Sequence, residues 1–152
     1  MKLEPFMTYY ANLSAGLDVG NGPFGKRMIF EVQGGEFKSD KLNGRIRDAS
    51  CADWMTISDD GYGHLDVRAT FETDDNAIIY AQYSGVIELT EGIMGAVAGE
   101  CETNFGEQNF FTNPRMQTGD ERYSWVNNIF CVARGRLLPG RVEYEVFQLV
   151  NE

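Results

Sequence analysis

Proton transfer is the chemistry that the residue types of this chain favour. Asp53 and Trp54 stand together in "CADWMTI", and because side chains alternate along a strand, they would point to opposite faces. A carboxylate turned into an apolar interior would have its pKa raised by the loss of water, as in a general acid or base. An exposed aspartate in a turn is the competing interpretation.

The stretch "ERYSWVNN" at 121–128 carries a second set of candidate residues. Read as a strand, it places Tyr123, Trp125 and Asn127 on one side. Aromatic rings supply apolar contact, and the phenol, indole and amide groups give fixed polar handles, so this side suits the wall of a ligand pocket. Packing in a core is the alternative, and it would require partners for the buried amide of Asn127.

A polar stripe follows from the alternation in "HLDVRATFE" at 64–72. His64, Asp66 and Arg68 share one face of this predicted strand, whereas Leu65 and Val67 share the other. In an ordinary sheet the polar face would be exposed to solvent, with Asp66 and Arg68 as a minor ion pair. In a barrel the same face could line the interior and contact a ligand.

Several patterns that resemble cofactor or metal motifs lack the necessary context. "GNGPFG" at 20–25 has the spacing of a dinucleotide site, but a strand-like segment follows where a helix is needed, so a long turn is predicted. Asp59-Asp60 and Asp74-Asp75 lack the spaced oxygens of a calcium loop. A single histidine and scattered cysteines provide no zinc site. We therefore predict neither a cofactor nor a metal.

Length and composition predict one folded domain over residues 1–152. A chain of 152 residues can bury one core without disulfides, and 43% hydrophobic with 12% aromatic residues is too rich for a disordered chain. The formal charge of −10, from 13 Lys+Arg against 23 Asp+Glu, would repel phosphate backbones and anionic membranes. We therefore expect neither nucleic acid nor a membrane as a partner.

The N-terminus and the cysteines indicate a cytoplasmic protein. Glu4 and Pro5 interrupt the apolar run that a signal peptide needs, and no later stretch has membrane-spanning length. Cys51, Cys101 and Cys131 are odd in number and widely spaced, as expected of reduced thiols. Barrels of this size often associate through an outer apolar face, which is compatible with a homodimer.

Glycine-punctuated segments of alternating apolar and polar residues predict an all-β protein. The expected strands are 7–13, 27–33, 41–47, 52–58, 64–73, 78–89, 109–116, 123–136 and 142–150. Short turns such as "DDGYG" at 59–63 and "LPG" at 138–140 imply antiparallel neighbours in largely up-and-down order. Closure would remove the exposed edges of this meander. We therefore predict a single closed antiparallel barrel of roughly nine strands, with a mobile loop or short helix near 90–107.

The order of several segments resembles the domain-of-unknown-function family numbered 3237, found in bacteria and fungi. These segments include "LNGRI", "ADW", "DDGYGHLDVRATFETDDNAIIYAQYSG", "YSWVNNIFCVARG" and "VEYEVFQL", and the resemblance extends from about residue 20 to the end. It implies a small antiparallel barrel and says little about activity. The positions that match the recurrent pattern are Asp53, Trp54, Asp66, Arg68, Asp74, Tyr123, Trp125 and Asn127.

The leading functional hypothesis is a lyase, isomerase or cyclase that works without a cofactor on a small aromatic or polyketide-like carbonyl compound. Tyr123 and Asp53 would transfer protons, and Arg68 would bind or polarise an oxygen. The expected substrate-binding residues are Trp54, Trp125, Asn127, Asp66, His64 and Tyr83. Two other hypotheses stay open: a protein that binds a hydrophobic metabolite without converting it, and a hydrolase that uses water activated by Asp53.

Overall fold

The computed structural model describes residues 1–152 and consists mainly of antiparallel strands. Eleven strands form one sheet. In chain order they are β1 (Lys2–Leu13), β2 (Leu17–Gly22), β3 (Gly25–Lys38), β4 (Gly44–Ile46), β5 (Ala52–Ile57), β6 (Tyr62–Thr73), β7 (Ile78–Glu88), β8 (Phe110–Thr112), β9 (Arg115–Gln117), β10 (Phe130–Leu138) and β11 (Arg141–Val150). A short helix, α1 (Glu91–Val97), precedes β8, and a 3-10 helix, Glu121–Asn128, precedes β10.

The sheet closes on itself with eight strand positions around the barrel. β4 and β5 occupy one position because both pair with β3 and β6, and β8 and β9 share another beside β7. The circuit closes where β11 pairs with β1. β2 pairs only with β3 and lies outside this circuit. The predicted closed antiparallel barrel is therefore confirmed.

Two-residue turns join two pairs of neighbouring strands. Pro139 and Gly140 connect β10 to β11, and the glycine adopts a φ of 68°, a conformation that favours glycine in tight hairpins. Pro23 and Phe24 connect β2 to β3 in the same way. The long turn predicted over 20–25 is therefore wrong, since most of that segment belongs to the two strands.

Side chains alternate across the barrel wall as the sequence pattern predicts. The odd-numbered residues of β6 from Leu65 to Phe71 are buried, whereas His64, Asp66 and Arg68 between them are exposed. The apolar set faces inward because its burial stabilises the fold, while charged groups keep their hydration outside. The polar stripe faces solvent, and the alternative in which it lines the interior is wrong.

The two ends of the barrel interior differ in how they are occupied. At the first, called the filled end, Phe37 stacks on Phe71 with centroids 4.9 Å apart, and Tyr9 packs edge-on against Phe71. The 3-10 helix covers this end and buries Val126 completely. At the second, called the cavity end, α1 lies beside the opening and buries Ile93. The short helix predicted near 90–107 is α1.

Two predicted strands end or break where side chains and proline interfere. Residues 123–128 form the 3-10 helix because Asp120 accepts the Arg122 N–H at 3.0 Å and Asn127 binds both backbone groups of Thr118 at 2.8 and 3.0 Å. Such local bonds compete with sheet pairing. Pro114, which has no N–H, separates β8 from β9 within the strand predicted at 109–116. Neither helix has the length and apolarity needed to cross a bilayer.

Candidate active site

The cavity end of the barrel encloses a cavity of about 330 Å³. Of the 28 residues that line it, 22 are hydrophobic, and they come from most strands of the barrel and from α1. Met94 and Val97 on α1 line the cavity and are half exposed, so the cavity reaches the surface beside the helix. This volume lies within the range of small-molecule sites, about 300–1,000 Å³.

Asp53 is the only acidic residue that lines this cavity. Its side chain is almost completely buried, and Oδ1 accepts a hydrogen bond of 3.0 Å from the backbone N–H of Asp66. Burial raises the pKa of Asp53 from 3.8 to about 7; the Asp66 N–H opposes this rise and the Asp66 carboxylate adds to it. Near neutral pH the group is therefore present in both protonation states and can accept or donate a proton.

The alternation along β5 presents Asp53 to the interior. Asp53 and Met55 line the cavity, and Trp54 between them lies on the outer face, where it is partly exposed. The exposed-turn interpretation of Asp53 is therefore wrong. Trp54, predicted to shape the pocket, has no contact with the cavity.

Two tyrosines, Tyr83 on β7 and Tyr144 on β11, line the cavity together with Asp53. Their rings meet edge to face with centroids 5.8 Å apart. Burial raises the pKa of Tyr83 to about 12 and the pKa of Tyr144 well above its ordinary value, and the charge of nearby Asp53 adds to both. Both phenols stay protonated at neutral pH and can donate hydrogen bonds to a carbonyl or alkoxide oxygen.

Neighbouring residues fix the positions of these two rings. Gly135 pairs with Tyr144 across β10 and β11, and a Cβ at this glycine would lie 2.9 Å from the Tyr144 ring and 2.8 Å from Phe110. On the other side, the Tyr9 ring packs 4.8 Å from that of Tyr144. The hydroxyl of Tyr9 is buried without a hydrogen-bond partner. Close packing on both sides leaves Tyr144 little freedom to turn away from the cavity.

Among the predicted site residues, only Asp53 and Tyr83 line the cavity. His64, Asp66 and Arg68 lie on the outer face of β6, and Asp66 reaches the site only through its backbone N–H. The prediction that Arg68 and Asp53 meet at one site is wrong. Arg68 pairs with Ala52, the residue before Asp53, and neighbouring positions along a strand project to opposite faces of the barrel wall.

The residues predicted to form a pocket wall lie at the filled end. The Tyr123 hydroxyl donates to Asp75 with O–O distances of 2.8 and 2.9 Å, in the turn between β6 and β7. Trp125 packs edge-on against Phe6 with centroids 5.9 Å apart. Asn127 is exposed and holds the loop at Thr118. These side chains close the barrel and do not meet Asp53, so their predicted convergence with it is also wrong.

Tyr144 is the cavity residue that sequence reasoning missed. In "RVEYEVFQLV" it alternates with Val142 and Val146, and all three are buried. The period of two gave a signal for an inward phenol, but many strands carry the same pattern.

As for metals, no three His, Cys, Asp or Glu side chains lie together in a group that could hold an ion.

Comparison with known proteins supports both the fold and the family. A UPF0311 protein of Rhodopseudomonas palustris (strain ATCC BAA-98 / CGA009) is 28% identical over 141 residues, which cover 90% of this chain and 86% of the relative. A crystal structure from Rhodopseudomonas palustris, described as a conserved protein of unknown function, has a TM-score of 0.87 at 26% identity and covers 99% of both chains. A beta-barrel like protein from Acinetobacter baumannii AYE has a TM-score of 0.81 at 29% identity, covering 98% of this chain and 96% of that one. The model of the family described as "Protein of unknown function (DUF3237)" matches residues 1–149, and the chain therefore belongs to this family.

Proposed function

We propose that the protein is a lyase, isomerase or cyclase that works without a cofactor, transferring protons on a small aromatic or polyketide-like carbonyl compound in the barrel cavity. The observation that carries this proposal is the burial of the Asp53 carboxyl group in a largely apolar cavity, which raises its pKa to about 7. A buried charge destabilises a fold unless it is compensated, and carboxyl groups tuned towards neutral pH are typical of catalytic acids and bases.

Asp53 acts as the general base in the proposed reaction. It removes a proton from a carbon or hydroxyl group near the carbonyl, while Tyr83 and Tyr144 donate hydrogen bonds to the oxygen that gains negative charge. The electron pair left on the substrate then takes up a proton at another atom in an isomerase, expels a leaving group in a lyase, or closes a ring in a cyclase. Protonated Asp53 then gives its proton to the new position in an isomerase, to the leaving group in a lyase, or to the oxygen that gained negative charge in a cyclase.

The size and lining of the cavity support a compact, apolar substrate. A cavity of about 150 Å³ holds benzene, so about 330 Å³ suits a molecule of about two fused rings. Lys26 and Arg141 are the only cationic residues among the lining. A neutral molecule with one or two oxygens directed at Asp53 and the phenols fits this distribution of charged and apolar residues.

A cytoplasmic location and a homodimer stay predictions from the sequence.

The test is turnover of a panel of aromatic and polyketide-like carbonyl compounds, followed by mass spectrometry. Asp53→Asn keeps an acceptor for the Asp66 N–H but cannot take a proton, so we expect turnover to fall at least about 100-fold. Asp66→Asn is the matched control, since it changes the neighbouring acid on the outer face and keeps the backbone donor. Below pH about 7 the wild-type kcat/KM should decline as Asp53 becomes protonated. Undiminished turnover by Asp53→Asn would refute the proposal.

A second candidate is a protein that binds a hydrophobic metabolite without converting it, and the largely hydrophobic lining favours it. In the same incubations such a protein returns every bound compound unchanged, and Asp53→Asn binds it as well as or better than the wild type does. Incubation in isotopically labelled water separates the hydrolase hypothesis, because hydrolysis would place solvent oxygen in the product.

A further inference from the structure

The pairing of β5 with β6 is interrupted next to Asp53. The two strands pair at Asp53–Val67 and resume at Thr56–His64, and the two residues of β5 between these points pair with β3 but have no paired partner on β6. The register on both sides places Asp66 opposite Trp54. In an antiparallel ladder every second opposed pair is hydrogen-bonded. Four residues further along the chain in the same register, the Ser58 N–H donates to the Tyr62 carbonyl at 3.0 Å, so Trp54 and Asp66 lie at a position where such bonds form.

At this interruption the backbone groups have other partners. The Asp66 N–H donates to Oδ1 of Asp53 at 3.0 Å, on the cavity side. The Trp54 carbonyl accepts from Nη1 of Arg27 at 2.8 Å, and Arg27 lies on the adjacent strand β3 opposite Thr56. A carboxylate on one face and a guanidinium on the other thus bind the donor and the acceptor of one cross-strand bond, that from the Asp66 N–H to the Trp54 carbonyl.

We propose that Arg27 is a positioning residue for Asp53, an inference that rests on the proposed function of Asp53 in proton transfer. By binding the Trp54 carbonyl from outside the barrel, the guanidinium keeps that carbonyl from recapturing the Asp66 N–H. The N–H then stays directed at the Asp53 carboxylate inside. Arg27 does not line the cavity and acts only through the strand pairing.

The surroundings of Asp53 set the direction of the expected effect. The Asp66 N–H favours the charged carboxylate and opposes burial, so its loss destabilises that form. The other titratable or charged groups around the site are the Asp66 carboxylate on β6, Tyr83 on β7, Tyr144 on β11, and Lys26 and Arg141 among the cavity lining. None of these changes when Arg27 is replaced.

The test is an NMR titration of the full chain, following the Asp53 carboxyl carbon and the Asp66 amide proton. In the wild type the amide signal should follow the Asp53 titration. Arg27→Met removes the donor to Trp54, and we expect the titration midpoint to rise by about one pH unit while the amide signal stops following it. Arg27→Gln keeps a neutral N–H donor and should show a smaller rise.

Arg68→Met is the control for charge. It removes a cation from the outer face of β6, where Arg68 pairs with Ala52, and leaves the Trp54 carbonyl untouched. An equal midpoint rise in Arg68→Met and Arg27→Met, or an unchanged midpoint and amide signal in Arg27→Met, would overturn the positioning role.

The NMR readouts do not depend on turnover. If Asp53→Asn proves fully active, the proposed function fails while the link between Arg27 and Asp53 can still be present. Where the panel yields a substrate, the kcat/KM profile of Arg27→Met should shift to higher pH by the same amount as the NMR midpoint. A lower rate with an unshifted profile would indicate a merely structural role and would also overturn the proposal. A dispersed amide spectrum of each variant checks the fold. Arg27→Ala, which also lacks the donor to the Trp54 carbonyl, serves as the test if Arg27→Met does not fold, with the same expected and contradicting results.

Discussion

The filled end and the cavity end of the barrel are built from the same strands, yet aromatic rings fill the interior of the first and the second encloses a cavity. At the filled end the inward side chains of β3 and β6 are the large rings Phe37 and Phe71, which stack and leave no open space between them. At the cavity end β6 contributes the smaller Leu65 and Val67, and space is left beside them. Along β6, large inward side chains therefore pack one end of the barrel, and smaller inward side chains leave space for a binding site at the other end.

The two ends also differ in the direction in which the pKa of an aspartate is shifted. At the filled end, hydroxyl groups of Thr73 and Tyr123 donate to exposed Asp75 and lower its pKa. At the cavity end, burial raises the pKa of Asp53 to about 7. The residue type is the same, but water and hydroxyl donors surround one carboxylate while apolar side chains surround the other. Only the second is suited to proton transfer at neutral pH.

The largest expected effect is on stability at the filled end. Phe71→Ala removes a fully packed ring, and we expect the free energy of unfolding to fall by about 3–5 kcal/mol, measured by urea denaturation. Phe110→Ala is the matched change at the cavity end, and its loss should be smaller because Phe110 already faces open space. Equal losses would show that the two ends are packed alike.

The next effect is a pH dependence of stability that comes from Asp53. Its pKa is 3.8 when exposed and about 7 in the folded state, so the folded protein binds this proton more tightly. Its contribution to the free energy of unfolding is therefore fully present below pH about 4, falls by at most about 1.4 kcal/mol per pH unit up to about 7, and then levels off. Asp53→Asn should lack this decline, which urea denaturation at several pH values measures. Parallel curves for the two proteins would contradict the buried environment of Asp53.

A smaller effect is expected for Tyr123 at the filled end. Tyr123→Phe removes the donor to Asp75 but keeps the ring, so the melting temperature should fall by only a few degrees. Turnover should stay the same, since Tyr123 does not line the cavity. A loss of turnover with the fold intact would restore the sequence-based assignment of Tyr123 to catalysis.

The smallest effect is expected for Arg68 on the outer face of β6. Arg68 is exposed and has no side-chain hydrogen bond or ion pair, so Arg68→Ala should change the free energy of unfolding by at most about 0.5 kcal/mol. Thermal unfolding and turnover measured on one preparation give both readouts. A clear drop in turnover would mean that the outer face of β6 takes part in the reaction.

Strand alternation and turn chemistry made much of the fold predictable. The pattern in β6 separated the buried from the exposed face, and "LPG" marked the hairpin of β10 and β11. The segment 123–128 was not predictable in this way, because its alternation fits a strand while the bonds of Asp120 and Asn127 to nearby backbone stabilise a 3-10 helix. Local side-chain bonds of this kind depend on a loop geometry that periodicity does not describe.

The sequence by itself determined the closed antiparallel barrel and identified Asp53 as a candidate acid or base. It also determined that β6 has one polar and one apolar face, but it left open whether the polar face points outward or inward. Only the tertiary structure decided which end of the barrel is filled, and that Tyr83 and Tyr144 line the cavity with Asp53. The reason is physical: alternation fixes the face on which a side chain lies, because the strand period is local. Which inward side chains share a cavity depends on strand register and on the volumes of residues far apart in the chain.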